Sequence, residues 1–167
     1  MLAGINSTGN IAMLISVILA AFLVMATALF HYFVLRWLSG GMARISMAVT
    51  TRILAIVFGV FLAHMVEIVI YSAAFAVSDK LLSLGDFGGQ VVETPLDYLY
   101  FSIVSYTSLG LGDTYPIGHL RFLTGVEALN GLLLIAWSAS FIYLAMGQLW
   151  PWTPCPEPGA EPENRRP

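Results

Sequence analysis

Three long runs that are almost free of charge dominate this sequence of 167 residues. They cover residues 11–35, 53–77 and 122–149, and the only charged residues inside them are Glu67 and Glu127. Each run reaches or exceeds the roughly 20 apolar residues needed to cross about 30 Å of hydrocarbon. Charged residues make up 10 % of the whole chain, whereas soluble domains carry about 25 %. The sequence therefore predicts an all-α integral membrane protein with three transmembrane helices.

The first run is not typical of a cleaved signal peptide. No Lys or Arg precedes it, and the apolar stretch continues past Ala28 to Leu35. We therefore expect residues 1–52 to form an extra N-terminal transmembrane helix followed by a basic cytoplasmic loop. His31, inside this helix, is interpreted as a packing or interface residue.

The charges between the runs predict the orientation of the chain. The first connection contains Arg36, Arg44 and Arg52 and no acid, while residues 78–121 contain more acids than bases. Short cytoplasmic loops are enriched in Lys and Arg. We therefore expect a multi-pass protein of the cell (plasma) membrane, with its N-terminus outside the cell and its C-terminus in the cytoplasm. Residues 150–167 are rich in proline and are predicted to be a disordered cytoplasmic tail.

The connection between the second and third runs contains a short helix signal. Thr94 is a candidate N-cap, Pro95 suits the first helical position, and Asp97 stands where a capping box has its acid. The predicted helix, residues 95–107, is roughly 18 Å long. It is too short to cross the bilayer, so we interpret it as a re-entrant helix. Residues 81–92, which precede it, are expected to form a flexible outer loop.

An alternating glycine pattern follows this helix directly. The sequence there is Thr107-Ser108-Leu109-Gly110-Leu111-Gly112-Asp113. Glycines in alternation allow φ values closed to other residues, so successive carbonyls can point to one side. Non-helical backbone at membrane depth is tolerated where it is buried in protein or lines a watery cavity. A carbonyl-lined path that replaces the water shell of a cation meets this condition.

The run Tyr100–Asp113 resembles the pore helix and filter of potassium channels, whose signature is Thr-Val-Gly-Tyr-Gly-Asp. The resemblance covers residues 53–149. It implies an outer helix (53–77), a pore helix (95–107), an extended selectivity filter (108–113) and an inner helix (120–149). It also implies a cyclic homotetramer in membrane lipid, with K⁺ as the permeant ion and no cofactor.

The resemblance also implies roles for single residues. The ion-coordinating filter positions would be Ser108, Leu109, Gly110, Leu111 and Gly112, with K⁺ held at the first four. Thr107 and Asp113 would support the filter, and Gly131 lies near the family's inner-helix hinge; close helix packing is an equal explanation for this glycine.

Two positions depart from the family signature. Ser108 replaces Thr, and Leu111 replaces Tyr and so removes a phenol that braces the filter. We expect a passive, K⁺-preferring channel. Two alternatives stay open, a weakly selective Na⁺/K⁺ channel and a non-conducting accessory membrane protein that uses the pore fold only for assembly.

Two polar pairs lie inside the membrane runs. His64 and Glu67 are three residues apart, as are Glu127 and Asn130, so each pair shares one helix face. Both pairs lie at a similar depth, roughly 15 Å below the outer ends of their helices. Because a carboxylate facing lipid is unfavourable, we expect a His64–Glu67–Glu127–Asn130 network that braces the pore helix from behind. A role in pH or ion sensing, or in metal binding, stays open, although one histidine makes a poor metal-ligand set.

Other functional classes are disfavoured. No nucleophile–base pair or cofactor loop is recognisable, so we do not expect an enzyme. The net charge is −3 and no basic cluster occurs, so we do not expect a nucleic-acid partner.

Overall fold

A computed structural model describes residues 2–41 and 48–149 of the chain, with side chains from residue 9 onward. Within these ranges the elements follow in the order α1 (Leu2–Gly41), α2 (Val49–Lys80), β1 (Gly85–Gly89), α3 (Pro95–Tyr106), β2 (Thr114–Gly118) and α4 (Leu120–Leu149). The predicted tail, residues 150–167, and residues 42–47 of the predicted basic loop lie outside the described residues.

Three of the helices are long and apolar enough to cross a membrane. The candidate spans are Gly9–Gly41, Val49–Lys80 and Leu120–Leu149, which confirms the prediction of three membrane helices. The second helix is longer than the predicted range 53–77. It is longer because residues beyond the apolar run, among them Lys80, still form helical backbone hydrogen bonds; one further bond joins the Leu81 N–H to the Val77 carbonyl (3.0 Å).

The first helix packs against both helices of the predicted pore module. α1 contacts α2 and α4, and α3 contacts α2 and α4. A core shared by all four helices contains Leu23, Phe75, Phe101 and Leu123. α1 is therefore an integral part of the bundle.

A second apolar cluster joins α1 to the first half of α2. It contains Leu35 and Leu38 from α1 and Ile56 and Val60 from α2. Gly59 makes the approach possible, since a Cβ atom there would lie 2.9 Å from Leu38 Cδ2.

The connection between α2 and α4 contains a small antiparallel ribbon. β1 pairs with β2 from Gly85 opposite Gly118 to Gly89 opposite Thr114. The prediction of a flexible loop is therefore wrong for residues 85–89. Its glycines permit close strand contact instead of flexibility, since a Cβ on Gly85 would lie 2.1 Å from the Ile117 carbonyl oxygen.

The ribbon packs against the first half of α3. The ring of Phe87, in β1, lies 4.8 Å from the ring of Phe101 and 5.7 Å from that of Tyr98. The short helix thus packs against α2 and α4 and against the ribbon near its N-terminal end.

Candidate functional site

The short helix α3 begins with the predicted capping box. The Asp97 N–H donates to Thr94 Oγ1 (3.3 Å), and the Thr94 N–H donates to Asp97 Oδ2 (2.8 Å). The Glu93 N–H also donates to this carboxylate. These hydrogen bonds hold the pKa of Asp97 below its usual range. The capping prediction is confirmed, and the start of the helix is fixed locally.

The helix ends at Tyr106, one residue before the predicted end. Thr107 is the C-cap, and its N–H donates to the Ile103 carbonyl (3.1 Å). The helix stops here because Ser108, the next residue, has a φ of +56°. Left-handed backbone cannot continue a right-handed helix.

The filter segment, residues 108–113, has an alternating backbone. Ser108, Gly110 and Gly112 have φ values of 56°, 58° and 77°, whereas Leu109 and Leu111 have negative φ. Such an alternation turns successive carbonyls toward one side. Within the described ranges, no carbonyl of residues 108–112 accepts a backbone hydrogen bond. The segment is exposed along its whole length.

Both ends of the filter segment are attached to the surrounding structure. At its C-terminal end, the Tyr100 hydroxyl donates to Asp113 Oδ2 (2.8 Å), and the Gln90 N–H donates to the Asp113 carbonyl (2.8 Å). At its N-terminal end, the N–H groups of Leu109 and Gly110 donate to the Val104 carbonyl. Sequence reasoning missed the role of Tyr100. Its signal was a tyrosine on the short helix that directly precedes the filter segment, where its hydroxyl could reach Asp113.

Gly131 lies directly behind the end of α3. A Cβ atom on this residue would lie 2.2 Å from the Tyr106 carbonyl oxygen. The backbones of α4 and α3 therefore touch, as the close-packing explanation of this glycine requires. The hinge role stays a prediction.

Five side chains from all four helices form a closed cycle of hydrogen-bond contacts. We call this cycle, made of His31, His64, Glu67, Tyr106 and Ser138, the interhelical ring. The Glu67 carboxylate lies 2.8 Å from His31 Nδ1 and accepts from the Tyr106 hydroxyl at 2.5 Å. That hydroxyl lies 2.9 Å from His64 Nδ1. Ser138 Oγ closes the cycle, at 3.0 Å from His64 Nε2 and 2.9 Å from His31 Nε2.

The predicted network of four polar residues is wrong in its connectivity. His64 and Glu67 belong to the interhelical ring, but no hydrogen bond within the described ranges joins them to Glu127 or Asn130. Glu127 Oε1 lies 2.6 Å from Ser102 Oγ, on the pore helix. Asn130 connects α4 to α1 and α2, since its Nδ2 donates to the hydroxyls of Thr27 (2.9 Å) and Tyr71 (3.1 Å). The matched depth of the two pairs stays a prediction, because side-chain partners also depend on how the helices are rotated.

The contribution of α1 is what sequence reasoning missed most clearly. His31 and Thr27 are fully buried and face partners on α2 and α4. The burial of His31 fits the predicted packing role, but its hydrogen bond to Glu67 goes beyond that role. A search for polar residues in all three apolar runs together would have found both side chains.

Residues 63–147 match a family model described as "Ion channel". The match covers a little more than half of the chain and includes α3, the filter segment and nearly all of α4. No curated protein and no solved structure matches the chain. The chain belongs to this ion-channel family, whose pore of two transmembrane helices is like that of potassium channels. It is therefore a multi-pass membrane protein of the ion-channel class, and family membership points to transport rather than to catalysis.

Proposed function

We propose that the protein is a passive, K⁺-preferring channel of the plasma membrane. In this proposal four subunits surround one axis, and the carbonyls of residues 108–111 replace the water shell of K⁺. The Ser108 hydroxyl adds a ligand at the inner end, and Gly112 closes the outer end. Thr107 and Asp113 support the filter from behind.

The observation that carries this proposal is the alternating sign of φ from Ser108 to Gly112. This backbone stands at the end of a short capped helix, between two helices long enough to cross a membrane. Its residues are exposed, and their carbonyls accept no backbone hydrogen bond from the described part of the chain. Carbonyl groups held in this way are available to a cation.

The number of filter segments per chain supports an oligomer. One segment cannot enclose an ion, so several chains must contribute around a common axis. The family resemblance sets that number at four. The C-terminal end of α3, with its partial negative charge, meets the filter at Tyr106 and favours a cation there.

The distribution of charge supports an outside location for the ribbon and the start of α3. Asp86, Glu93 and Asp97 lie at this end of the molecule, whereas Arg36 and Arg52 lie at the connection between α1 and α2. By the preference of short cytoplasmic loops for arginine, the N-terminus is outside and the C-terminus is in the cytoplasm.

Leu111 favours a second candidate function, a weakly selective Na⁺/K⁺ channel. Its side chain is 58 % exposed and has no hydroxyl to hold the filter at a fixed width. A non-conducting accessory protein is disfavoured, because assembly alone does not require carbonyls turned in one direction.

Ion flux into liposomes that contain the purified full chain tests these candidates. We expect K⁺ flux to exceed Na⁺ flux by at least about tenfold, which corresponds to 1.4 kcal/mol. Equal rates for the two ions would favour the weakly selective channel. A cross-linked tetramer that carries neither ion would support the accessory role.

A further inference from the structure

We propose that the interhelical ring is a binding site for a divalent transition-metal cation of the Zn²⁺ type. Its ligands are His31, His64 and Glu67. The ring lies behind α3, apart from the filter carbonyls. Metal binding there would therefore be a function separate from ion conduction.

The donor set fits such a cation. The three residues offer ligand atoms that all lie within 4.8 Å of one another, and among the described residues they are the one such group of His, Cys, Asp and Glu. Imidazole and carboxylate ligands suit Zn²⁺, while Mg²⁺ and Ca²⁺ prefer oxygen alone. α1 supplies the second histidine, so the objection that one histidine makes a poor ligand set no longer applies.

The spacing of the donor atoms also fits. His31 Nδ1 lies 2.8 Å from Glu67 Oε1, and His64 Nδ1 lies 3.1 Å from Glu67 Oε2. Ligand atoms about 2.0–2.1 Å from a tetrahedral Zn²⁺ are about 3.3 Å apart. Both measured distances lie within about half an ångström of this value, and the donor atoms of all three residues lie within 4.8 Å of one another, so small side-chain movements bring the three ligands to a common cation.

Ser138 provides the outer support that metal-binding histidines require. A neutral imidazole that binds a metal through Nδ1 carries its proton on Nε2. Both Nε2 atoms lie near Ser138 Oγ, at 2.9 and 3.0 Å, and a hydroxyl oxygen has two lone pairs that accept both protons. Hydrogen bonds of this kind fix the orientation of ligating histidines.

Access and contact with the pore helix complete the site. The His31 and Glu67 side chains are fully buried, whereas the His64 side chain is 16 % exposed and offers an entry side. The Tyr106 hydroxyl, on α3, lies 2.9 Å from His64 Nδ1 and so stands beside the ligand atoms. A bound cation would thus link α1 and α2 to the last residue of the pore helix, directly before Thr107.

Metal binding by the purified full chain in lipid nanodiscs tests this proposal without any ion flux. After treatment with a chelator, the protein is dialysed against Zn²⁺ or Co²⁺, and metal per chain is measured by mass spectrometry. We expect one metal per chain and, with Co²⁺, the intense visible absorption of a four-coordinate site. Excess Mg²⁺ or Ca²⁺ should not displace it.

Two histidine variants form a matched pair. His31→Gln removes a ligand and should weaken Co²⁺ binding by at least tenfold, since loss of an outer-shell partner alone costs about 10- to 100-fold. His119→Gln changes the third histidine of the chain, which lies outside the ring, and should leave binding unchanged. If His31→Gln fails to assemble, the wild-type Co²⁺ spectrum still decides.

Absence of stoichiometric metal in the wild type, or equal loss in both variants, would overturn the metal site. The outcome is independent of the proposed channel. A chain that binds metal but carries no ions would contradict the channel and leave the site intact, and a chain that conducts without binding metal would do the opposite.

Discussion

The front and the back of the pore helix differ in how their polar groups are used. At the front, the filter segment is exposed and, within the described ranges, its carbonyls at 108–112 accept no backbone hydrogen bonds. At the back, the interhelical ring is largely buried and its members contact one another from four helices. In the proposed channel, a carbonyl that exchanges partners with passing ions cannot also be held by the protein, so the rigidity of the front would come from the back and from the two ends.

The largest effect is expected from Gly110→Ala, which breaks the front alone. Gly110 has a φ of +58°, and alanine in left-handed backbone costs roughly 1–2 kcal/mol per residue. We expect K⁺ flux in liposomes to fall by at least tenfold while helix content stays unchanged. Gly9→Ala is the matched control, because Gly9 has negative φ and open space around it. Full flux in Gly110→Ala would mean that the alternating backbone is not the ion path.

Gly131→Ala tests the contact between front and back. The new methyl group would overlap the Tyr106 carbonyl oxygen at 2.2 Å, and overpacking of this kind costs typically 1–3 kcal/mol. We expect a lower unfolding temperature and less flux. Gly125→Ala, on the same helix, meets nothing within 4 Å and should match the wild type. Equal stability of the two variants would show that α3 does not rest on α4 at this point.

Tyr106→Phe breaks the back alone. It removes the hydroxyl that donates to the buried Glu67 carboxylate, which keeps its contacts with His31 and His64. A hydrogen bond to a charged group contributes about 1.5–3 kcal/mol. We expect a lower unfolding temperature, together with weaker K⁺ preference because the inner end of the filter is less firmly held. Tyr143→Phe, at a position that is 78 % exposed, is the control. Unchanged stability in Tyr106→Phe would contradict a supporting role for the ring.

Tyr100→Phe tests the outer attachment of the filter segment. The change removes the hydrogen bond to Asp113, while the backbone hydrogen bond from Gln90 to Asp113 remains. We expect a partial loss of K⁺ over Na⁺ preference, smaller than the effect of Gly110→Ala, with unchanged tetramer yield on cross-linking. A loss of assembly instead would place Tyr100 in the scaffold rather than at the filter.

The smallest effect is expected at the start of α3. The pKa of Asp97 is lowered from 3.8 by hydrogen bonds from backbone N–H groups, so its contribution to stability is complete above pH 3.8 and is lost as the pH falls through the lower, folded value. We expect the wild type to unfold at a slightly higher temperature than Asp97→Asn, with the difference vanishing in acid. A difference that grows in acid would contradict this sign.

Local signals predicted most of the fold. The nearly uncharged runs predicted the three long helices, and Thr94, Pro95 and Asp97 predicted the start of α3. Both predictions succeeded because each signal depends only on residues close together in the sequence. The ribbon was not predictable in this way, since the glycines at 85–89 are typical of loops until their strand partner is known.

Signals that depend on helix rotation were predicted least well. The sequence placed His64, Glu67, Glu127 and Asn130 at a common depth, but which side chains meet across helices is decided by packing. The positive φ of Ser108 could not be predicted from the sequence either, because serine seldom adopts that conformation. Within the filter segment, only Gly110 and Gly112 indicated from their residue type that the backbone could take positive φ.

Anomalous X-ray scattering from crystals grown with Rb⁺ or Tl⁺, which substitute for K⁺, would test the central claim most directly. The account predicts a row of ion peaks on a fourfold axis, each surrounded by main-chain oxygens of residues 108–111 from four subunits. Peaks absent from this segment, or a segment that faces lipid away from any symmetry axis, would contradict it.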